Sequence, residues 1–440
     1  MGEKPNILLI TIEALRADHL GCYGYHWPTS PSIDALAQEG VLCERMFCPA
    51  IPTQPSYTTL YTGQHPLTHG IVAHGGKAEL AREAPFLPQL LLEAGYTTCA
   101  VDNLMRQRIW FGRGYEYYID PSVRHILFLA VSCEEINNRA IHWLRTHADI
   151  PFFLFIHYWD PHIPYTPPER YRGLFYEGDC PTDPNNHALD DWWLTPTGAM
   201  ARDTWLRTAD GLITDPAYIT ALYDQEIRYV DEAVGELVAT LDKLGLAEQT
   251  LVMVLADHGE SMTEHSIFFE HYGLYDCTLR VPLIARWPGH LPQGVHVSQL
   301  LEMTDIAPTL LEAVGLPVPD TIEGVSFWRV LTGEEQGRGH KSVVSLECTW
   351  QAKWSLRTDR YKFILARQPD PSGNLPRELY DLAVDPQEEN NLIEEQPELA
   401  AAMEVELENW IAERLRLLGK EKDPLLEQGA SLRQALNWYS

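Results

Sequence analysis

Residues 5–15 read PNILLITIEAL. The strand-like run is Asn6–Ile12, aliphatic from Ile7 onward except for Thr11, with no polar alternation, and it stops at an acid, Glu13. Unbroken apolar character over so short a span suits a strand covered on both faces, as in parallel sheets. The same signature recurs at Phe152–Tyr158 and Thr250–Ala256, and more weakly at Tyr96–Val101 and Val281–Arg286. Between them lie stretches of helical spacing: Ser32–Gln38, Pro85–Ala94 stopped by Gly95, Glu134–His147 and the long Pro216–Leu244. This alternation predicts an α/β fold, a mostly parallel sheet sandwiched by helices.

The pattern changes near residue 330. Lys341–Leu346 and Trp354–Leu365 read as short β segments and Pro397–Leu418 as a helix. Residues 1–330 are therefore expected to form the main α/β domain, and 331–440 a smaller α+β subdomain with a small antiparallel sheet and helix. Tyr176–Asp215 is acidic and irregular and carries Trp192, Trp193 and Trp205. It reads either as a plain surface loop or as a substrate lid with exposed tryptophans. The tail, Glu421–Ser440, is expected to pack on its own subunit, with docking on a neighbour in a homo-oligomer as the alternative.

Of the 440 residues 45% are hydrophobic and 22% charged, a globular composition that supports a sizeable core. The formal charge of −29 argues against nucleic acid and anionic membranes as partners. The N-terminal apolar run is too short for a signal-peptide core, and no stretch has the length of a membrane span, so a cytoplasmic location is expected. The eight cysteines contain no CxxC and read as buried thiols.

In open α/β sheets, ligands bind beyond the carboxyl ends of the strands. Glu13 follows the first strong strand, Asp160-Pro161-His162 follows another, and Asp257-His258-Gly259-Glu260 a third. Two carboxylates and an imidazole at one edge suit a divalent cation, zinc or manganese. Plainer readings exist for each: Glu13 as cap of a helix from Leu15 onward, Asp257-His258-Gly259 as a turn, His162 as a loop histidine. Thr53 lies in PTQPSYTTLYTG (52–63), near the start of a helix whose first turn Pro55 suits. Free N–H groups there favour an anion, and the hydroxyl becomes a nucleophile once activated. On this segment alone an N-cap is the stronger reading of Thr53.

Taken in order, these segments resemble the sulfatase-like branch of the alkaline phosphatase superfamily, nearly end to end. The resemblance runs through PNILLITIEALRADHLGCYGY, TQPSYTTLYTGQHPLTHGI, FLFIHYWDPHIPYTPP, YDQEIRYVDEAVGEL, ADHGESMTEH and LYDCTLRVPLIARWPG, then LRTDRYKFI and ELYDLAVDPQEENNL. It implies four metal ligands, Glu13, Thr53, Asp257 and His258, with Thr53 also the nucleophile. It places His162 and His271 against the substrate's non-bridging oxygens or leaving group; His271 by itself reads as an ordinary surface or core histidine.

The departures are informative. Sulfatases read CxPSR or SxPSR, whose Cys or Ser is oxidised to formylglycine; this chain has Thr53-Gln54-Pro55-Ser56-Tyr57. Paired aspartates become Glu13-Ala14, which makes calcium less suitable. The family's GKWH stretch is Asp102-Asn103-Leu104 here. The Glu, Thr, Asp, His quartet is similar to that of lipoteichoic acid synthases and phosphoethanolamine transferases. Threonine nucleophiles also occur in the nucleotide pyrophosphatase/phosphodiesterase branch, whose second-metal DxxxH set is not found in the sequence.

Formylglycine hydrate has a second hydroxyl through which its sulfate ester collapses. A threonine ester lacks that exit, so water must attack the central atom, which is easier at phosphorus than at a sulfate monoester. One metal rather than two suits singly charged esters. The sequence thus leads us to expect a metal-dependent hydrolase of small phosphodiesters or phosphonate monoesters acting through phospho-Thr53. A sulfatase is the first alternative. A transferase passing the group to an alcohol and a non-catalytic binding protein on the same scaffold are the others.

Overall fold

The computed structural model describes residues 4–124, 131–335, 337, 339–370 and 372–431. Its main sheet contains β1 (Asn6–Ile12), β2 (Val41–Phe47), β3 (Thr97–Val101), β4 (Tyr117–Ile119), β5 (Phe152–Tyr158), β6 (Thr250–Ala256), β7 (Arg280–Arg286) and β8 (Val295–Val297). The spatial order is β8-β2-β7-β6-β1-β5-β3-β4, with Leu301–Glu302 also pairing β2. β1 is central and parallel to both neighbours, Ile10 lying opposite Ile156 of β5 and Val254 of β6. β5, β3 and β4 continue in parallel, whereas β7 runs antiparallel to β6 and β2. Every residue of β1, β5 and β6 is buried, the physical reason their sequences show no alternation. Because β1, β5 and β6 are adjacent and parallel, their carboxyl ends open on one edge.

The helices include α1 (Pro31–Gln38), α2 (Thr53–Thr62), α3 (Cys133–Thr146), α4 (Pro216–Leu244), α5 (Ile306–Ala313) and α6 (Pro397–Leu417). Asp215 caps α4 by accepting from the Ala217 N–H at 2.9 Å, and Gly245 ends it at φ 72°. α2 begins at Thr53 with Pro52 as its cap residue, so Thr53 is not the N-cap that its local sequence favours. No α-helix follows Glu13, only short 3₁₀ turns from Ala17, which removes the capping reading of that acid.

A second sheet holds β9 (Ser342–Glu347), β10 (Lys353–Thr358), β11 (Tyr361–Ala366) and β12 (Arg377–Asp381). The single β segment expected over Trp354–Leu365 is in fact two antiparallel strands, because polar Asp359-Arg360 makes a turn in its middle. α6 packs on this sheet, with Leu407 and Ile411 in one apolar cluster with Trp354 and Phe363. The edge of the sheet is Ala50–Ile51, pairing in parallel with Leu346 and Glu347. The residues just ahead of Thr53 are thereby fixed in a sheet that lies mostly in the C-terminal part of the chain.

The irregular stretch from Tyr176 to Asp215 holds two short helices, Asp190–Trp193 and Pro196–Asp203, and a small hairpin. Its tryptophans are not exposed as expected: Trp192 is buried against Phe269, and Trp193 and Trp205 are half-buried. The thiols also depart from expectation, since Cys180 is exposed and Cys22 and Cys277 are half-buried. Of the C-terminal tail, residues 432–440 lie outside the described residues. Among the described residues no helix is long and apolar enough to cross a membrane.

Candidate active site

Three chain segments meet at the carboxyl edge of the main sheet. Glu13 leaves β1, Asp257 and His258 leave β6, and Thr53 begins α2; Glu13, Asp257 and His258 are fully buried and Thr53 nearly so. Ligand atoms of Glu13, Asp257 and His258 all lie within 4.8 Å of one another. The Thr53 hydroxyl donates to Glu13 Oε1 at 2.6 Å. Ala14 adopts φ 53°, a left-handed conformation that costs a non-glycine residue energy, and its N–H donates to Asp257 Oδ1 at 3.2 Å. Ser56, one turn into α2, donates to the Asp257 carbonyl at 2.6 Å, tying the helix to the end of β6.

The donor set fits a cation. His258 Nδ1 lies 2.8 Å from the Gly259 carbonyl, which only accepts, so the proton sits on Nδ1 and the Nε2 lone pair is free. Burial, with the charge of His271, lowers the His258 pKa to about 3 and keeps the ring neutral. Nε2 has no hydrogen-bond partner and lies 3.2 Å from Asp257 Oδ2, itself an unpartnered buried oxygen, and 3.8 Å from Glu13 Oε1. Burial and then the neighbouring charge of Glu13 push the Asp257 pKa up. A neutral imidazole facing two buried acids, with orphaned donor atoms on His258 and Asp257, is a donor set that suits a cation.

Two further imidazoles form one wall. The rings of His162 and His271 are 5.0 Å apart, and His271 stacks on His258 at 5.0 Å. Both are half-buried, so solvent reaches them. Burial lowers His162 to about 4, with the His271 charge acting in the same sense. Burial would also lower His271, but Glu260, whose Oε1 is 3.6 Å from His271 Nδ1, outweighs it and raises the value to about 9. His162 Nδ1 faces the Ile163 carbonyl at 2.6 Å, leaving its Nε2 as an acceptor. A neutral imidazole can accept a proton and a charged one beside it can donate one.

All six residues singled out in the sequence are thus brought to one place. The sequence reading missed His157, which lies between two carboxylates: Nε2 is 2.8 Å from Glu13 Oε2 and Nδ1 is 3.1 Å from Asp102 Oδ1. Burial opposes its charge, yet the hydrogen bonds to Asp102 and Glu13 raise its pKa to about 9. The same contact holds Glu13 well below the usual carboxylate range against the opposing effect of burial. Only its setting, a histidine inside the apolar run FFLFIHY, marked it in sequence. Glu260, buried beside His271, was likewise quoted only as part of a turn. Tyr57, where sulfatases have arginine, is buried with its hydroxyl donating to Thr11 at 3.1 Å, so it serves packing.

A mostly parallel α/β sheet that delivers a buried acid, acid, imidazole triad and a hydroxyl to one edge defines an ester hydrolase of the alkaline-phosphatase-like fold. Residues 5–316 match the family model "Sulfatase", and residues 263–414 match "N-sulphoglucosamine sulphohydrolase, C-terminal". The chain belongs to the sulfatase family. It is 27% identical to Delta 4,5-hexuronate-2-O-sulfatase of Bacteroides thetaiotaomicron over 89% of this chain and 85% of that protein. It is 24% identical to an arylsulfatase of Clostridium perfringens over 89% of this chain and 90% of the relative. Among solved structures it resembles phosphonate monoester hydrolase of Agrobacterium radiobacter, with a TM-score of 0.72 and 24% identity over 94% of this chain and 96% of the other. Divalent metal dependence is a property of this superfamily, and the Glu13, Asp257, His258 cluster fits it.

Proposed function

We propose that the chain hydrolyses a singly charged ester, with the Thr53 hydroxyl as the attacking group. The observation that carries this reading is the 2.6 Å hydrogen bond from Thr53 to Glu13 beside the buried cluster with Asp257 and His258. Glu13, Asp257 and His258, with the Thr53 oxygen, would hold a divalent cation; two carboxylates and an imidazole suit zinc or manganese. When bound, that cation acidifies the hydroxyl and polarises the ester. Glu13 orients the hydroxyl, whose proton leaves to solvent, and Thr53 Oγ1 attacks the central atom as that atom's bond to the alcohol oxygen breaks. The His271 imidazolium gives a proton to the departing alcohol. In the second step His162, neutral with Nε2 free, takes a proton from the water that releases Thr53.

Two ester classes fit a singly charged reacting group. The likeness to relatives named as sulfatases supports a sulfate ester as the first reading, ahead of the phosphoesters that the sequence alone favoured. A phosphonate monoester or phosphodiester is the second reading, and residue 53 itself favours it: water clears a threonine ester of phosphorus more readily than one of sulfur. Aryl sulfate, aryl phosphonate and aryl phosphodiester, assayed in parallel with zinc and with manganese, separate the two. At least one should turn over, and Thr53→Ala should lower that rate about a thousandfold or more. Full turnover by Thr53→Ala would overturn the proposal.

A further inference from the structure

We propose that His74 contacts the substrate, its Nε2–H donating a hydrogen bond to a non-bridging oxygen of the ester. This rests on the hydrolase reading above and adds a neutral donor to the two histidines already placed in that mechanism.

The backbone around His74 is fixed from three directions. Its N–H donates to Thr349 Oγ1 at 3.0 Å and its carbonyl accepts from Ser431 Oγ at 2.9 Å, both in the C-terminal part of the chain. The following N–H, that of Gly75, donates to Gln54 Oε1 at 3.1 Å. Gln54 is buried and directly follows Thr53, so this bond ties the loop to the start of α2. Arg108 bridges the same two segments: its Nε donates to Gln54 Oε1 at 3.1 Å and its Nη2 to the Gly76 carbonyl. None of these bonds involves the imidazole, so the loop is held without it.

The ring itself is half-buried, and its Nδ1 is a buried atom with no hydrogen-bond partner, which leaves Nε2 as the accessible nitrogen. Its surroundings are those of the active site. Burial, then the charge of His271, push its pKa down to about 4; Glu13 opposes the fall, and His162 and Arg108 add to it. The ring is therefore neutral near pH 7 and carries its one proton on one of two nitrogens. A buried N–H without a partner is rarer in proteins than a buried acceptor without one, so the proton belongs on Nε2. Glu13, His162 and His271 thus share their surroundings with a donor that no protein group uses, on a loop fixed to the residue after Thr53. A neutral donor suits a singly charged ester. It adds a hydrogen bond to the charge developing in the transition state without placing further positive charge beside the His271 imidazolium.

The test uses whichever aryl ester the parallel assays show to be cleaved. His74→Ala should lower kcat/KM about 100-fold, as loss of a preorganised donor does in other hydrolases. His74→Gln, whose amide N–H reaches the position of Nε2, should recover about tenfold of that loss. His74→Phe fills the space of the ring without a donor and should behave as His74→Ala does; it carries the comparison if the alanine protein does not fold. Turnover of His74→Phe within about threefold of the parent, or a loss that His74→Gln does not reduce, overturns the proposal. Should no aryl ester be cleaved, the hydrolase reading fails by itself, and His74 is tested by calorimetric titration of the zinc-loaded parent and His74→Phe with inorganic sulfate and with phosphate. Binding of either anion that weakens about tenfold in His74→Phe supports the assignment; equal binding, or none by the parent, overturns it.

Discussion

Thr53 donates its hydroxyl proton to an acid that is itself held ionised by a buried, doubly bonded imidazole. Thr53→Ser keeps that hydroxyl and should retain much more activity than Thr53→Ala, a comparison read from kcat. His157→Gln removes the cation between Glu13 and Asp102 and leaves two buried carboxylates without it. It should cost about 3–5 kcal/mol of stability, measured by denaturant unfolding of the metal-free protein. Glu13 and the Asp257-His258 pair were legible because each directly follows an unbroken apolar run, and ligands gather at such strand ends. His157 was not, because its partners come from two other strands and nothing adjacent in sequence announces them. The pairing of His271 with Glu260 escaped for the same reason: it forms only when a loop folds back on itself.

At the level of elements, Gly259 shows how the fold constrains the site. Its N–H donates to the Thr278 carbonyl at 2.7 Å, and a Cβ on it would lie 2.0 Å from the Cys277 carbonyl oxygen. Gly259→Ala must therefore push apart the turn that carries Asp257 and His258. We expect zinc affinity to fall about 10- to 100-fold, as for other disturbances behind metal ligands, measured by calorimetric titration. Asp231 of α4 does a comparable job for α1, accepting from the Ser32 and Ile33 N–H groups at 2.9 and 2.8 Å. Asp231→Ala should cost about 1–2 kcal/mol in denaturant unfolding. The long elements were readable: α4 and β1, β5 and β6 have the boundaries their periodicity predicts. β2 was missed because polar Glu44-Arg45 interrupts its apolar run, and the turn at Asp359-Arg360 was overrun because apolar residues flank it on both sides.

For the molecule as a whole, the buried acids make stability depend on the cation. Chelation should lower Tm, and zinc or manganese should restore it. A ligand at a thousandfold its Kd is worth about 4 kcal/mol. A separate pH effect comes from His340, whose Nε2 lies 2.7 Å from Asp305 Oδ2. Burial disfavours its charge, but Asp305 overrides this and raises the pKa to about 9. A raised histidine pKa means stabilisation that is fully present below about 6.5, the unfolded value, and lost as pH rises through about 9. Chelated His340→Asn should therefore melt below the chelated parent at pH 6 and approach it near pH 10. The overall architecture was legible from the alternation of runs, whereas the strand Ala50–Ile51, which joins the second sheet to the start of α2, is too short to leave any pattern.

The central claim is that Thr53 takes the transferred group during turnover. Acid-quenched mass spectrometry of the metal-loaded protein, sampled during cleavage of its best aryl ester, tests it most directly. The account predicts the added mass of a sulfuryl, phosphoryl or phosphonyl group on the peptide containing Thr53, formed within one turnover and absent from Thr53→Ala. Active enzyme that shows no such adduct under rapid quench, together with a Thr53→Ala variant that turns over at the parent rate, would contradict it.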